Sequence, residues 1–268
     1  MTDAADGEKP VLWSVDARGV ATVTLNRPAV NNAYNGAMIA GLHEAMDALE
    51  KEGTLRVVVL RGNGRHFQAG ADLAWIRGVA AQSEDENVRV SRDTAEAIRR
   101  LDATPVPTVA LVQGGCFGGG TGIVAACDVV VATDDAVFSI TETRWGLMAG
   151  IIVPQLNAAM GVRQVRRYAL TCERFDAREA QRLGLVHVVC PAADLARTGE
   201  TFVDALLMNA RDANIQTKQV ARAYAGLDVG DVAYDGLVRQ HAAKRRSAEG
   251  AEGRASFAEK RKPGWYPG

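Results

Sequence analysis

The chain has 268 residues, of which 47% are hydrophobic and 24% charged, enough apolar material for one folded unit with a smaller appendage. Its 31 basic and 32 acidic residues almost cancel, so the bulk charge gives no reason to expect binding to nucleic acid or a membrane. The four cysteines lie far apart without a C-x-x-C pair, which argues against a disulfide framework or a zinc site.

The N-terminal part of the chain predicts a flexible lead followed by strands. Residues 1–10 are polar and acidic and do not have the pattern of a signal or transit peptide, so we expect a cytoplasmic protein. Runs rich in β-branched residues over 11–16 and 20–26 predict a hairpin around Ala17-Arg18-Gly19. Pro28 ends the second strand because proline lacks an N–H.

A helix, a buried strand and a second helix are predicted next. Apolar residues recur at helical spacing from Met38 to Leu49, and Gly53 ends the pattern. The apolar run 55–60 predicts a strand that is buried on both faces. After a glycine-containing loop over 62–73, the polar residues 82–86 predict a surface loop, and 88–101 predict an amphipathic helix.

The stretch from Pro105 to Ala132 combines an uncharged sequence with six glycines. A membrane span would need about 20 apolar residues, and the glycines, prolines and Gln113 argue against one, since irregular backbone cannot face lipid. The alternative is a buried strand over 108–113, a glycine turn, a short helix and a strand over 128–132. Glycines that open a helix leave N–H groups exposed at close range, which suits an anion or a developing oxyanion.

The remaining sequence predicts a shift from strands to helices. A short strand over 136–140 precedes a loop over 141–147, and Asp176 with Glu179 forms the N-cap pattern of a helix that ends at Gly184. A last strand is predicted over 185–190, and then helices over 192–211, 215–226, 230–248 and 250–260. We therefore expect an α/β core over 11–190 and a helical region over 191–268, which has little core of its own and so predicts an oligomer.

Two backbone-donor loops and one acid are the candidate chemistry. Ala69-Gly70-Ala71 and Gly118-Gly119-Gly120 each follow an apolar strand, so their N–H groups can meet at one sheet edge and hold a carbonyl oxygen. Glu142 lies in a third loop, where an apolar pocket would raise its pKa for proton transfer; the alternative is a surface acid. A G-x-G-x-x-A pattern over 120–125 does not predict a dinucleotide site, because the following helix is too short for a βαβ crossover.

Several motifs of the chain resemble those of the crotonase superfamily, the enoyl-CoA hydratases and isomerases. They stand in family order from about Val11 onward: N-R-P over 26–28 with Asn32-Ala33, H-F-Q-A-G-A-D-L over 66–73, F-G-G-G-T-G-I-V-A-A-C-D over 117–128, F-S-I-T-E-T-R-W-G-L over 138–147, A-R-E-A-Q-R-L-G-L-V over 177–186 and F-A-E-K-R-K-P over 257–263.

The resemblance implies a spiral of ββα repeats with a C-terminal helical trimerisation region, assembled as a homotrimer or as a hexamer that is a dimer of trimers. It implies an acyl-CoA thioester as substrate, no metal, and no cofactor apart from the coenzyme A of the substrate. By similarity, the oxyanion donors are the N–H groups of Ala71 and Gly119, and Glu142 transfers the proton. The remaining substrate contacts implied by similarity or by the same loops are Val30, Ala33, Gln68, Ala69, Gly70, Asp72, Leu73, Gly118, Arg144, Phe257 and Lys260.

Two positions depart from the family pattern. Hydratases of the family commonly use two glutamates, and Gly122 stands where the first would fall; Ala74 replaces a lysine often found after G-A-D-[LI]. The finer resemblance is to the branch of 3-methylglutaconyl-CoA and isohexenylglutaconyl-CoA hydratases, of leucine and terpene catabolism. On that hypothesis, Gly122 gives room to the C3 branch, Gln68 or the substrate carboxylate helps to hold the water, and Arg144 pairs with the carboxylate. An enoyl-CoA isomerase and a non-catalytic acyl-CoA-binding subunit stay open as alternatives.

Overall fold

The computed structural model describes residues 9–225 and 247–267, which contain two sheets. In spatial order, the large sheet contains β1 (Val11–Val15), β2 (Val20–Leu25), β3 (Val57–Gly62), β4 (Thr108–Val112), β6 (Val129–Thr133) and β9 (Val188–Cys190). The small sheet contains β5 (Gly115–Phe117), β7 (Val137–Ser139) and β8 (Phe175–Asp176). In the large sheet β1 is antiparallel to β2 and the other neighbours are parallel, so the predicted α/β class is confirmed.

Helices cover both sheets. They are α1 (Gly36–Glu50), α2 (Leu73–Ala80), α3 (Glu84–Ala103), α4 (Gly119–Ala125), α5 (Val153–Met160), α6 (Val162–Thr171), α7 (Ala177–Leu183), α8 (Leu195–Met208), α9 (Arg211–Ala223) and α10 (Ala248–Ala258), with short 3-10 turns at Pro28–Val30, Glu142–Trp145 and Ala192–Asp194. Within residues 9–225 and 247–267, none of these helices has the length and the apolar content to span a bilayer.

The central strands of the large sheet are buried on both faces, as the apolar runs predict, whereas the edge strand β1 exposes one face. Alternate residues of a strand point to opposite faces. In β3, Val58 and Leu60 face the main core, whereas Val57 and Val59 face a smaller cluster formed with Val203 and Leu207 of α8. The helix α8 therefore covers the second face of the sheet. The three-part division at residues 10 and 190 stays a prediction.

Several predicted boundaries moved for local reasons. The strand predicted over 55–60 begins at Val57, because the N–H of Leu55 still donates to Glu52 O at 3.2 Å in the turn after α1. The expected loop over 82–86 is wrong from Glu84 onward: the Ser83 hydroxyl accepts the N–H of Glu86 at 3.3 Å and starts α3 there.

Other elements follow the sequence in part. The helix α2 and the short strand β5 were not predicted, the latter because glycines indicated only a turn. The helices predicted over 192–211, 215–226 and 250–260 are observed as α8, α9 and α10 with shifted ends. The helix predicted over 230–248 lies outside the described residues apart from its end, and so do residues 1–8 of the predicted flexible lead.

The two glycine loops lie side by side at the carboxyl ends of β3 and β4. The N–H of Phe67 donates to Gln113 O at 2.8 Å, and the N–H of Phe117 donates to Gln68 O at 2.9 Å. Parallel strands end at the same edge of a sheet, so loops that follow them are neighbours. The sheet thus brings the predicted donor loops together.

Candidate active site

A cavity of about 530 Å³ opens beside the glycine turn, between α1, α2, α3, α4 and the segment 147–152. Its size lies within the range usual for small-molecule sites. Both Gly119 and Glu142 line it. Most of the wall is apolar and includes Ile39, Leu42, Val79, Ile98, Ile123 and Ile152.

One side of the cavity wall is apolar. A small void of about 20 Å³ adjoins it and shares Leu42, Ala97, Ile98 and Ile123 with its wall. The polar side chains of the wall are Tyr34, Trp75, Asn87, Ser91, Thr94 and Glu142. Two of them are already used locally, because Asn87 donates to Val79 O at 2.9 Å and Thr94 to Val90 O at 2.8 Å. Within residues 9–225 and 247–267, the wall contains no lysine or arginine.

The turn between β5 and α4 presents one free donor to this cavity. Gly118 has φ +51° and ψ −123°, a backbone conformation that residues other than glycine rarely adopt. Its own N–H donates to Ser139 O at 2.9 Å and so is not free for a ligand, while a ligand contact through the rest of Gly118 stays a prediction. Gly119 begins α4, and the first N–H groups of a helix have no partner within the helix. The N–H of Gly119 is therefore available to a ligand.

The loop before α2 leaves a second free donor at Ala71. The N–H of Ala69 donates to Asn31 O, and that of Asp72 to Tyr34 O, at 3.0 and 2.8 Å. The N–H of Gly70 donates to the Gln68 side chain at 2.8 Å. Within the described chain the N–H of Ala71 has no such acceptor. Ala71 and Gly119, the pair that the resemblance implies, thus both have a free N–H, although Ala71 itself is outside the cavity wall.

Gln68 supports the loop and does not face the cavity. Its side chain is fully buried, its Oε1 accepts from Gly70 N, and its Nε2 donates to Gly70 O at 3.1 Å. Both polar ends of the amide are thus engaged by one residue. These bonds direct the amide to the loop and away from the cavity wall, and a contact of Gln68 with the reacting water stays an untested prediction.

Asp72 also has a structural role. Its carboxylate accepts from the N–H groups of Ala74 and Trp75 at 3.1 and 3.3 Å and so caps α2. It also pairs with Arg27 at 3.3 Å, and the same guanidinium donates to Ala33 O. These bonds connect the loop 27–33 to the loop that carries Ala71, and a substrate contact of Asp72 stays a prediction.

Glu142 is the acid of the site. Its Oε1 lies 3.1 Å from the position that a Cβ on Gly118 would occupy, so the carboxyl lies against the glycine turn. Its Oε2 is buried and has no hydrogen-bond partner in the described chain. Burial raises the pKa of Glu142 above its ordinary value, while the backbone N–H groups of Glu142 and Thr141 act in the opposite direction. Glu142 is therefore a half-buried acid in the cavity wall and not a solvated surface acid, and a raised pKa is a property that suits proton transfer.

Tyr34 is a site residue that sequence reasoning missed. Its backbone pairs with Ala71, its ring lies against Gly119, and its ring packs edge-on against Trp75 with 5.8 Å between ring centroids. The only sequence signal is an aromatic residue directly after Asn32-Ala33. That position carries no spacing rule from which a role could be predicted.

Two further expectations do not hold. The guanidinium of Arg144 donates to Cys172 O at 3.1 Å and is not in the cavity wall, so the structure does not bring it to a substrate carboxylate. Gly122 leaves no empty space, since a Cβ there would lie 2.6 Å from the Cβ of Ile152. The missing acid is replaced by an isoleucine that fills its place, and the predicted room for a C3 branch at Gly122 is absent.

The predicted contacts to the rest of the ligand lie outside the cavity wall. Val30 and Leu73 are exposed apolar side chains, while Ala33 and Ala69 are half-buried. Lys260 is exposed in the turn after α10. The side chain of Phe257 lies outside the described residues. Val30, Ala33, Ala69 and Leu73 are apolar, and their contact with a ligand stays a prediction.

Comparison with known proteins identifies the relatives of this arrangement. The family model "Enoyl-CoA hydratase/isomerase" matches residues 16–267. A putative enoyl-CoA hydratase of Thermus thermophilus is 33% identical over 93% of this chain and 98% of its own. A mitochondrial Delta(3,5)-Delta(2,4)-dienoyl-CoA isomerase of Dictyostelium discoideum is 30% identical over 92% and 88%. The solved structure of Pseudomonas aeruginosa AtuE superposes with a TM-score of 0.90 at 36% identity over 96% and 99% of the two chains, and it confirms the predicted fold.

Proposed function

Because this chain belongs to the enoyl-CoA hydratase/isomerase family, we propose that it is an enoyl-CoA hydratase that adds water across the 2,3 double bond of an acyl-CoA thioester. One observation carries the proposal. A buried carboxyl with an unpartnered oxygen, Glu142, faces the same cavity as the free N–H of Gly119. A proton carrier and an oxyanion donor are the two groups that this reaction requires.

The donors act on the thioester carbonyl. Hydrogen bonds from the N–H groups of Ala71 and Gly119 draw electron density onto the carbonyl oxygen, so C3 of the conjugated ester becomes electrophilic. Addition at C3 then produces an enolate whose negative charge lies on that oxygen. Each donor placed in this way is worth about a hundredfold to a thousandfold in rate.

Glu142 moves one proton twice. Its carboxylate accepts a proton from water as the water oxygen bonds to C3, and the resulting acid returns that proton to C2 of the enolate. The product carries OH on C3 and H on C2, and the enzyme ends in its starting form. Positioned proton transfer of this kind contributes about a hundredfold to ten-thousandfold.

The second candidate is an enoyl-CoA isomerase, in which the carboxylate only moves a proton along the chain. The specific observation in its favour is that Ile152 fills the place of a second acid beside Gly122. A non-catalytic acyl-CoA-binding subunit, the third candidate, would turn over nothing. Incubation of enoyl-CoA esters in 18O-labelled water separates the three: a hydratase incorporates label, an isomerase shifts the double bond without label, and a binding subunit leaves the ester unchanged.

The acyl group is the finer part of the proposal. The resemblance favours a C3-branched glutaconyl-type ester, 3-methylglutaconyl-CoA or isohexenylglutaconyl-CoA, and hence a place in leucine or terpene catabolism. The largely apolar wall suits an isohexenyl chain, but the described wall offers no cation to a second carboxylate. A panel of these esters with crotonyl-CoA and an uncharged medium-chain 2-enoyl-CoA decides: faster turnover of the uncharged esters would reject the glutaconyl-type substrate.

We also propose a homotrimer or a hexamer as the assembly. Large apolar side chains remain exposed on the monomer, among them Met148 at 83% and Leu170 at 72%. Light scattering after size exclusion should give a mass three or six times that of the 28.5 kDa chain, and a monomer would refute this part.

The four free cysteines fit a cytoplasmic location, and we propose no cofactor beyond the coenzyme A of the substrate.

A further inference from the structure

The main chain fixes Tyr34 to the loop that carries one oxyanion donor. The N–H of Tyr34 donates to Gly70 O at 2.9 Å, and its carbonyl accepts the N–H of Asp72 at 2.8 Å. These two bonds flank Ala71, whose own N–H stays free. Tyr34 therefore cannot move without moving that donor.

The side chain of Tyr34 reaches the other donor. Its Cζ, the carbon that carries the hydroxyl, lies 3.5 Å from the position of a Cβ on Gly119. Glu142 Oε1 lies 3.1 Å from the corresponding position on the neighbouring Gly118. The phenol and the carboxyl are thus both next to the same two-residue turn, and both line the cavity.

The hydroxyl of Tyr34 has no protein partner among the residues that the structure describes, although the ring is largely buried. Buried or half-buried hydroxyl groups are normally hydrogen-bonded, so an unpaired one at a cavity wall is available to a ligand or to water. Burial and the nearby Glu142 raise the pKa of Tyr34 to about 12. The phenol therefore stays neutral near neutral pH and can both donate and accept a hydrogen bond.

We propose that the Tyr34 hydroxyl holds the water that adds to C3, so that it supplies the second polar contact that Gly122 lacks. In this role the phenol accepts one hydrogen of the water, while Glu142 takes the other as the oxygen bonds to C3. The phenol itself neither gains nor loses a proton. This inference deepens the proposed function and rests on it.

The test is Tyr34→Phe, which removes only the hydroxyl and keeps the ring on Gly119. With the enoyl-CoA ester that the panel shows to be turned over fastest, we expect kcat for hydration to fall about tenfold to a hundredfold, the effect of one hydrogen bond to a reacting group. KM should stay within about threefold, because the carbonyl donors are unchanged. The exchange of C2 hydrogens of the saturated ester in deuterated water, which needs only Glu142 and the oxyanion donors, should persist.

Tyr168→Phe is the matched control, since its hydroxyl bonds to Glu179 at 2.7 Å outside the cavity wall. It should lower the melting temperature and leave kcat unchanged. Unchanged hydration in Tyr34→Phe overturns the inference, and an equal loss of hydration and C2 exchange also overturns it, because the residue would then only support the loops. If the unmodified enzyme incorporates no 18O, the proposed function fails first.

Discussion

The burial of Glu142 lowers the stability of the fold and at the same time makes its carboxylate a stronger base. A carboxylate with a buried and unpartnered oxygen has lost hydration without full replacement. Desolvation disfavours the charged form and raises the pKa of the group. The same burial makes the carboxylate a stronger base toward water or a carbon acid, which is why such groups are found in active sites.

Replacement of this acid by its amide should abolish turnover and keep binding. We expect Glu142→Gln to lower kcat by about a hundredfold to ten-thousandfold, with KM little changed, since the oxyanion donors remain. In the unmodified enzyme the carboxylate is the active form, so kcat/KM should rise as the pH increases. The midpoint of that rise should lie above 4.5, the pKa of an ordinary glutamate. Steady-state kinetics across pH measure both effects, and full activity of the variant would refute the assignment.

The same substitution should stabilise the fold near neutral pH. A carboxyl whose pKa is raised on folding binds protons more tightly in the folded state, so stability falls as pH rises from 4.5 through the folded pKa. Glu142→Gln removes this loss, and its melting temperature should exceed that of the unmodified protein at neutral pH but not below pH 4.5. Glu173→Gln is the control. The hydrogen bond from Arg167 lowers the pKa of Glu173, so this substitution should lower the melting temperature near neutral pH instead of raising it.

A second acid cannot simply be restored at position 122. In Gly122→Glu the new side chain would meet Ile152, whose Cβ lies 2.6 Å from the new Cβ, and overpacking of this kind costs about 1–3 kcal/mol. Ile152→Ala removes the obstacle but itself lowers the stability of the fold. In urea unfolding the double variant should be more stable than the sum of the two single effects predicts. Strict additivity would show that Ile152 is not the obstacle.

At the scale of elements, the caps decide how accurately the donors are placed. Asp72 ends the loop of Ala71 and begins α2, and its bond to Arg27 joins a third segment. We expect Asp72→Ala to cost about 0.5–2 kcal/mol for the cap and to lower kcat/KM, because the Ala71 donor shifts. Asp176→Ala removes a similar cap from α7, where Asp176 accepts the N–H of Glu179. It should lose similar stability with kcat/KM unchanged.

The sequence predicts the parallel sheet well because its strands are continuous apolar runs. It does not predict β5. This strand has only three residues, one of them glycine, and it forms by pairing with β7 after the chain has folded. At the site, Glu142 and the donor loops follow from local patterns, and the resemblance names Ala71 and Gly119. The roles of Gln68, Arg144 and Tyr34 depend on which atoms lie opposite their side chains, and distant segments of the chain determine that.

At the scale of the whole molecule, one ion pair connects α9 to the sheet. Lys218 is 9% exposed at its side chain, and its amine donates to Asp128 Oδ2 at 2.6 Å and to Val106 O at 3.1 Å. Asp128 also accepts from the N–H and the hydroxyl of Thr108 at the start of β4. A helix distant in sequence is thereby bonded to the segment that leads into the glycine turn.

Lys218→Met should therefore loosen α9 while the sheet stays intact. Removal of one partner of a fully buried pair costs about 3–5 kcal/mol, but Asp128 is 32% exposed at its side chain and keeps both bonds to Thr108. We expect a smaller loss of about 1–3 kcal/mol in urea unfolding, with earlier protease cleavage near α9. Arg222→Met, on the same helix, breaks a more exposed pair with Asp102 and should cost less than about 1 kcal/mol. Equal losses in the two variants would mean that burial of Lys218 adds nothing to the attachment of α9.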